Sequence, residues 1–524
     1  MSVMTRQDHR IPDQHAAPLV DPTAYADGRI HETYRWLRQN EPFGQAVIDG
    51  FDPFWVATKH ADILEISRQN DLFHNGDRNP VLTPKALDEK VRAMMGGSPH
   101  LLRTLIHMDA PDHLKYRSLT QAWFMPANLR NMEDRIRVIA RAAVERMKAK
   151  GGECDFVREI ALHYPLHVVM SILGVPEEDE PRMLKLTQEL FGAADPELSR
   201  TGGAPARLEG ELDISVITDF FEYFRALSER KRAEPTDDLA TVIANSVIDG
   251  QPISDFEAMS YYIIVATAGH DTTSSSTGGA LWALAENPGE LAKLHADPSL
   301  IPGLVDESIR WTTPVKTFMR TVTEDVEFAG RQLRKDDWLM LCYASGNRDE
   351  EVFEDPYAFR VDRKPNRHLA FGYGAHLCLG QHLAKMEMRI LWEELIPRLK
   401  RLELAGAGPE RGGLRQRAQA PADPVRDGLS SVSVTHSLEE RLAAYIARKM
   451  PEARGISVSG LERISGGASR ETYRFRLAWD GGERPLILRR DPPASTARPS
   501  RCPRCCGWRR RTTPSTTPSS SPRS

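Results

Sequence analysis

Phe371-Gly372-Tyr373-Gly374-Ala375-His376-Leu377-Cys378-Leu379-Gly380 sets one cysteine in a loop punctuated by three glycines, directly before the helical pattern Gln381 to Trp392. A thiolate at Cys378 has the first backbone N–H groups of that helix pointing at its sulfur, an arrangement that stabilises negative charge and tunes a bound metal. Cys378 is therefore the candidate axial ligand of a haem. A buried, inert thiol is the ordinary reading of an isolated cysteine. The leading Phe371, the glycines and the flanking His376 at fixed offsets speak against it here.

The bulk properties bound the classes that fit. At 524 residues the chain can bury a large core, and length alone allows two or three domains. A formal net charge of -4 gives no reason to invoke nucleic acid. Met1 to Asp21 is polar and broken by Pro12 and Pro18, with no apolar stretch that reads as a signal peptide or membrane anchor, so a cytoplasmic protein without a membrane partner is expected. Six cysteines, three of them bunched near the end, do not form a disulfide framework.

Tyr34 to roughly Leu404 is dominated by helical periodicity. Asn131 to Lys150 carries Met132, Ile136, Ile139, Ala140, Ala143 and Met147 at helical spacing with Arg and Glu between. Phe256 to Glu286 is too apolar all round for a surface helix and reads as a buried central one. Strand-like pieces are short: Phe54 to Thr58, Phe318 to Val322 and Trp338 to Tyr343. The fold class is mainly α with minor β-sheet, and no internal repeat is present.

Within the buried helix lies Ala268-Gly269-His270-Asp271-Thr272-Thr273. A carboxylate followed by two hydroxyl residues is poor helix material, because Thr competes for backbone hydrogen bonds and can open the ladder to water and protons. One reading ends the helix here, with Asp271 or Thr272 capping a new one. The apolar pattern resumes through Leu281, Trp282 and Leu284, which favours one continuous kinked helix.

Glu307-Ser308-Ile309-Arg310 puts a carboxylate and a guanidinium three residues apart on one helical face. Exposed, such a pair contributes only about 0.2–0.5 kcal/mol. His113 and Arg117 lie one helical turn apart after the helix-starting Pro111, and on their own read as a solvated surface pair.

Taken in order, these stretches resemble the cytochrome P450 family. The cysteine loop fills every fixed position of Phe-Gly-x-Gly-x-His-x-Cys-x-Gly; Ala268 to Thr273 resembles the distal oxygen-activation motif, Glu307 to Arg310 the Glu-x-x-Arg motif, and Pro111 to Arg117 the Pro-x-His-x-x-x-Arg helix. The match spans roughly Asp21 to Leu404, and a haem-thiolate domain is expected over 21–405. The resemblance implies haem b ligated by Cys378, within a loop whose Phe371, Gly372, His376 and Gly380 contact the cofactor. It implies propionate ligands at His113, Arg117, Arg320 and His376. Thr272 would hydrogen-bond dioxygen at the haem and Asp271 would relay protons. Glu307 and Arg310 would be a structural anchor with His368 as a third partner. Thr267, Ala268, Val315 and Phe318 would face the substrate. Pocket walls are expected from Pro80 to Leu105, Thr267 to Ala268 and Val315 to Phe318, where no residue carries a charge evidently meant for a ligand.

Tyr164 to Met170, Ala268 to Ser276 and Asn366 to Gly380 resemble bacterial soluble members of the terpineol-hydroxylase group. This implies a small apolar substrate, terpenoid, alkyl-aromatic or steroid-like. The implied activity is insertion of one atom of O2 into a C–H bond. No flavin or iron-sulfur motif occurs in the chain, so electrons are expected from a ferredoxin and ferredoxin reductase docking near Lys385 and Arg389. A monomer is expected.

After Leu404 the chain departs from the family pattern. Gly406 to Ser431 shows no strand alternation where members finish with a strand pair that reaches the pocket, and 406–436 reads as a linker or altered C-terminus. Ser437 to Met450 reads as an amphipathic helix. With Leu461 to Phe475, the turn residues Gly466 and Gly467, and Arg489 on the strand-like Pro485 to Arg490, residues 437–493 resemble the start of an aminoglycoside-phosphotransferase-like kinase, a small α+β fragment. A plain hairpin is the other reading of Gly-Gly. The fragment has no catalytic Asp after Thr472, so no kinase activity is expected of it. Residues 494–524 have almost no aliphatic side chain and read as disordered, with Cys502, Cys505 and Cys506 lacking a fourth metal ligand. A genuine fusion, or a truncated or frame-shifted reading of two neighbouring coding regions, would give this organisation. Two other functions stay open: a haem-binding protein without efficient turnover because of the altered tail, and a nucleotide-binding role for the C-terminal fragment.

Overall fold

The structure is a computed structural model that describes residues 9–151, 154–192, 200 and 214–404, with backbone strands at 417–418, 457–464, 471–479 and 482–490. The chain divides into two compact units, Met1–Ala422 and Asp423–Ser524.

In the first unit the helices that matter for the site are α1 (Ile30–Asn40), α2 (His60–Arg68), α3 (Asp112–Gln121), α4 (Glu133–Ala149), α5 (His163–Leu173), α6 (Asp255–Glu286), α7 (Ile301–Thr312) and α8 (Gln381–Leu395). The strands are β1 (Phe43–Ala46), β2 (Phe54–Ala57), β3 (Phe73–His74), β4 (Thr317–Val322) and β5 (Trp338–Cys342). They form one mixed sheet in the order β1-β2-β5-β4-β3, in which only the β2–β5 pair is parallel. All three strand-like pieces seen in the sequence are its central strands. Most of the helical body therefore lies, in sequence, between two neighbouring strands, as a parallel pairing requires a crossover.

Helix α6 runs unbroken for 32 residues. Ser254 and Glu257 start it with a reciprocal capping box, and Asn287 followed by Pro288 stops it. Twenty-odd small and apolar side chains allow burial on every side, from Ala258 to Leu284. The Asp271–Thr273 stretch does not end it: the Thr272 hydroxyl donates back to the Ala268 carbonyl at 2.7 Å, so its hydrogen-bonding demand is met within the helix. α4 and α8 pack through charges at their rim, with Arg137 on Glu393 at 2.7 Å and Arg389 on Glu133 at 2.9 Å.

The sequence between 406 and 431, read as strandless, contributes one short pairing: Arg417–Ala418 runs antiparallel to Cys154–Asp155. Two residues are too few for alternation to show. In the second unit, Ser457–Ile464, Glu471–Trp479 and Gly482–Arg490 form an antiparallel three-stranded meander. The expected helix Ser437 to Met450, the turn at Gly466 and Gly467, and residues 494–524 with Cys502, Cys505 and Cys506 lie outside the described residues. No helix among the described residues is long and apolar enough to cross a membrane.

Candidate active site

Two of the three loop glycines that precede Cys378 or follow it are backbone requirements. Gly372 and Gly374 have φ of +70° and +73°, a region costly for side chains with Cβ, and a Cβ on Gly374 would sit 2.0 Å from the Ser67 carbonyl oxygen. At Gly380 a Cβ would meet nothing within 4 Å, so this glycine leaves space beside the cysteine. The Cys378 N–H donates to the Phe371 carbonyl at 2.9 Å, which closes the loop on itself. Phe371 packs on the main core with the Lys385 ammonium 5.6 Å from its ring centre.

The Cys378 sulfur lies deep among protein atoms yet keeps accessible surface. Burial raises its pKa, while backbone N–H groups of Gly380 and Gln381 and the Arg117 guanidinium act in the opposite direction. These are the helix-start donors expected from the sequence.

A cationic cradle surrounds the loop. Arg117 donates to the Leu377 carbonyl at 2.8 Å, and the His113 and His376 rings lie 4.2 Å apart. Arg320 is 4% exposed, with its guanidinium on the Met319 carbonyl at 2.8 Å. Neither arginine has a carboxylate within ion-pairing distance among the described residues. Burial lowers the pKa of both imidazoles, His113 to about 4, and the neighbouring positive charges reinforce it. Asp109, 3.8 Å from His376, is already engaged by the Asn75 and Gly76 N–H groups. Buried guanidinium without an anion costs several kcal/mol, about as much as a broken buried pair. The donor set thus fits a ligand that brings two carboxylates.

Above the loop stands α6. α6 and α8 pack directly, with Glu387 facing Thr273, which brings the Asp271–Thr272 motif and the cysteine at the head of α8 into one neighbourhood. Asp271 is raised in pKa by burial alone. Ala268 keeps accessible surface, whereas Thr267 is 1% exposed and spends its hydroxyl on the Ile263 carbonyl. Of the four residues expected to face a substrate, Ala268 is the exposed one. Val315 and Phe318 pack partly buried beside the sheet core.

A model of the cytochrome P450 family matches residues 88–406. The chain belongs to the cytochrome P450 family. It is 48% identical over 400 residues to cytochrome P450-terp of a Pseudomonas species, covering 76% of this chain and 93% of the relative. Steroid C26-monooxygenase of Mycolicibacterium smegmatis is 34% identical over 398 residues, 75% of this chain and 90% of the relative. Among solved structures, CYP108D1 of Novosphingobium aromaticivorans superposes with a TM-score of 0.70 at 43% identity, over 78% of this chain and 97% of that one. This P450 is accordingly a haem-thiolate monooxygenase, and its cysteine loop and cationic cradle fit the haem b that the family uses.

Glu307 and Arg310, expected as a structural anchor, are fully buried: Arg310 meets both carboxylate oxygens at 2.7 Å and also donates to the Asn347 and Pro356 carbonyls. Their third partner is Arg363, 3.1 Å from Glu307, with Asn366 at the same distance; His368 instead lies 3.8 Å from Asp306. Lys385 and Arg389, read as docking cations, are held by Asp306 at 2.8 Å and by Glu133 and Glu393 at 2.9 and 2.6 Å. The wall segment Val315–Phe318, read as carrying no charge of interest, contains the deeply enclosed Lys316.

One residue went unread. Glu387 is 2% exposed and its carboxyl pKa is driven well above the usual range by burial, with the facing Thr273 hydroxyl acting against the rise. The signal was present, because Glu387 stands four residues from both Leu383 and Leu391, on the apolar stripe of α8.

Proposed function

We propose that this P450 hydroxylates a small apolar substrate, a terpenoid before a steroid, using O2 and electrons from a ferredoxin and its reductase. The observation that carries the reading is Cys378, set beneath the N–H groups of Gly380 and Gln381 and ringed by His113, Arg117, Arg320 and His376. Bound haem would supply the oxygen chemistry, with thiolate donation favouring O–O cleavage.

The chain's own groups then have definite tasks. Cys378 Sγ would hold the haem iron. Arg117 and Arg320 neutralise the propionates, and the neutral His113 and His376 supply hydrogen bonds to them. Asp271, whose pKa burial raises, stands beside Thr272 and would relay a proton to it. The Thr272 oxygen, whose own proton points at Ala268, is left free to accept one. Ala268 gives the substrate an apolar contact. The 48% identity to cytochrome P450-terp supports the terpenoid preference. Ferredoxin remains the proposed donor, but Lys385 and Arg389 cannot be free anchors for it.

Reconstitution with a ferredoxin pair tests this. NAD(P)H consumption coupled to a hydroxylated monoterpene is the expected result; haem binding with no oxygenated product from terpenes, alkylbenzenes or steroids would favour a haem-binding protein without turnover. For the second unit, we keep the phosphotransferase-like reading as a proposal, supported by its antiparallel meander. ATP binding by the full chain, lost in a chain ending at Leu404, is its test.

A further inference from the structure

We propose that the side chains of Arg348 and Lys316 at the C-terminal end of α7, together with His31, bind a small monovalent anion of the halide class. Arg348 donates from Nη2 to the Trp311 carbonyl at 2.6 Å, and Lys316 donates from Nζ to the next carbonyl, Thr312. Two cations are thereby drawn to adjacent peptide groups at one helix end. Arg348 is 5% exposed, and its other terminal nitrogen, Nη1, is buried without a partner; so is Nδ1 of His31. No carboxylate lies within ion-pairing distance of Arg348 or Lys316 among the described residues.

Capping the helix accounts for part of this charge only. A helix C-terminus carries roughly half a negative charge and the Trp311 ring, 5.1 Å from the Arg348 guanidinium, adds a weaker attraction, against the full charge of Arg348 and the partly held charge of Lys316. The nearest acids are committed elsewhere: Glu307 to Arg310 and Arg363, and Glu350 to Arg38 at 2.8 Å. The surplus shows in the groups themselves. Burial and the Arg348 charge lower Lys316 to about 7, and burial, Arg348 and Lys316 lower His31 to about 2. His31 is therefore a neutral ring that offers an N–H rather than a third charge. Lys316 and His31 both keep some accessible surface. One anion accepting from Arg348 Nη1, Lys316 Nζ and the His31 ring balances the surplus and satisfies both unpartnered nitrogens.

Bromide is the probe, used on the full haem-loaded chain. Crystals soaked in sodium bromide should show one anomalous peak within hydrogen-bonding reach of Arg348 Nη1 and Lys316 Nζ. In solution, bromide in place of gluconate at matched ionic strength should raise the melting temperature saturably, by about 2 °C at ten times the dissociation constant. Lys316→Met and His31→Phe should each weaken that response at least about tenfold. Ordered water without anomalous signal, together with equal melting in the two salts, overturns the proposal. Should Lys316→Met fail to fold, the crystal measurement on the unaltered chain decides alone.

Discussion

Arg117 Nη2 lies 2.8 Å from the carbonyl oxygen of Leu377, so a single guanidinium on α3 holds the backbone one residue before the thiolate. The same charge helps keep the Cys378 thiol from rising further in pKa. Arg117→Ala is expected to release haem at least about tenfold faster to an excess of haem scavenger, a change of about 1.4 kcal/mol. Arg117→Lys should recover part of that, because it restores charge but not the planar fork. Equal release rates in all three proteins would remove Arg117 from the cofactor site.

The Glu307–Arg310 pair makes a sharper demand. Both side chains are fully buried, and Arg310 also satisfies the Asn347, Pro356 and Ala358 carbonyls. Removing Arg310 leaves Glu307 with Arg363 and Asn366 but takes the guanidinium donor from the buried Asn347 and Pro356 carbonyls, each at about 1–3 kcal/mol. Arg310→Ala should therefore lower the urea midpoint severely or abolish folding, and Arg310→Lys should not rescue it. Arg401→Ala, at an exposed pair with Glu403, should change stability by less than about 0.5 kcal/mol. A mild effect at Arg310 would contradict the burial seen here.

What could be read from the sequence was local. The glycine spacing around Cys378 and the span of α6 could be read directly, and the ends of that helix fall within a residue of the expected ones, because caps and apolar runs are near-neighbour properties. What could not be read was long-range. Arg363 reaches Glu307 across 56 positions, and nothing in its own neighbourhood announces that. Lys385 and Arg389 look like free surface cations until Asp306 and Glu133 are placed opposite them. Thr267 and Ala268 are adjacent, but on a helix adjacent residues point about 100° apart, so only one can face a given space.

Thr272→Ala should separate chemistry from stability. The hydroxyl only back-bonds to Ala268 within the helix, and alanine is the better helix former, so the melting temperature should stay within about 2 °C. Coupling should fall, with peroxide rising at the expense of hydroxylated product while haem content is unchanged. Unaltered coupling with an authentic substrate would count against the assigned role.

Asp271 permits a pH test with a definite sign. Burial raises its folded pKa, whereas in the unfolded chain it titrates near the ordinary value of about 3.9. Between the two values the folded state holds a proton that the unfolded state has lost, so stability declines as pH rises through that window and levels off above the folded pKa. The decline amounts to about 1.4 kcal/mol for each unit of separation. Asp271→Asn is permanently neutral and escapes it. Urea midpoints from pH 4 to 8 should thus show the variant gaining on the parent as pH rises, then running parallel to it. Over the same range the variant should lose turnover, since an amide cannot hold and release the proton. A variant that tracks the parent at every pH would mean that the Asp271 carboxyl is solvated, and the proton-relay role would fall with it.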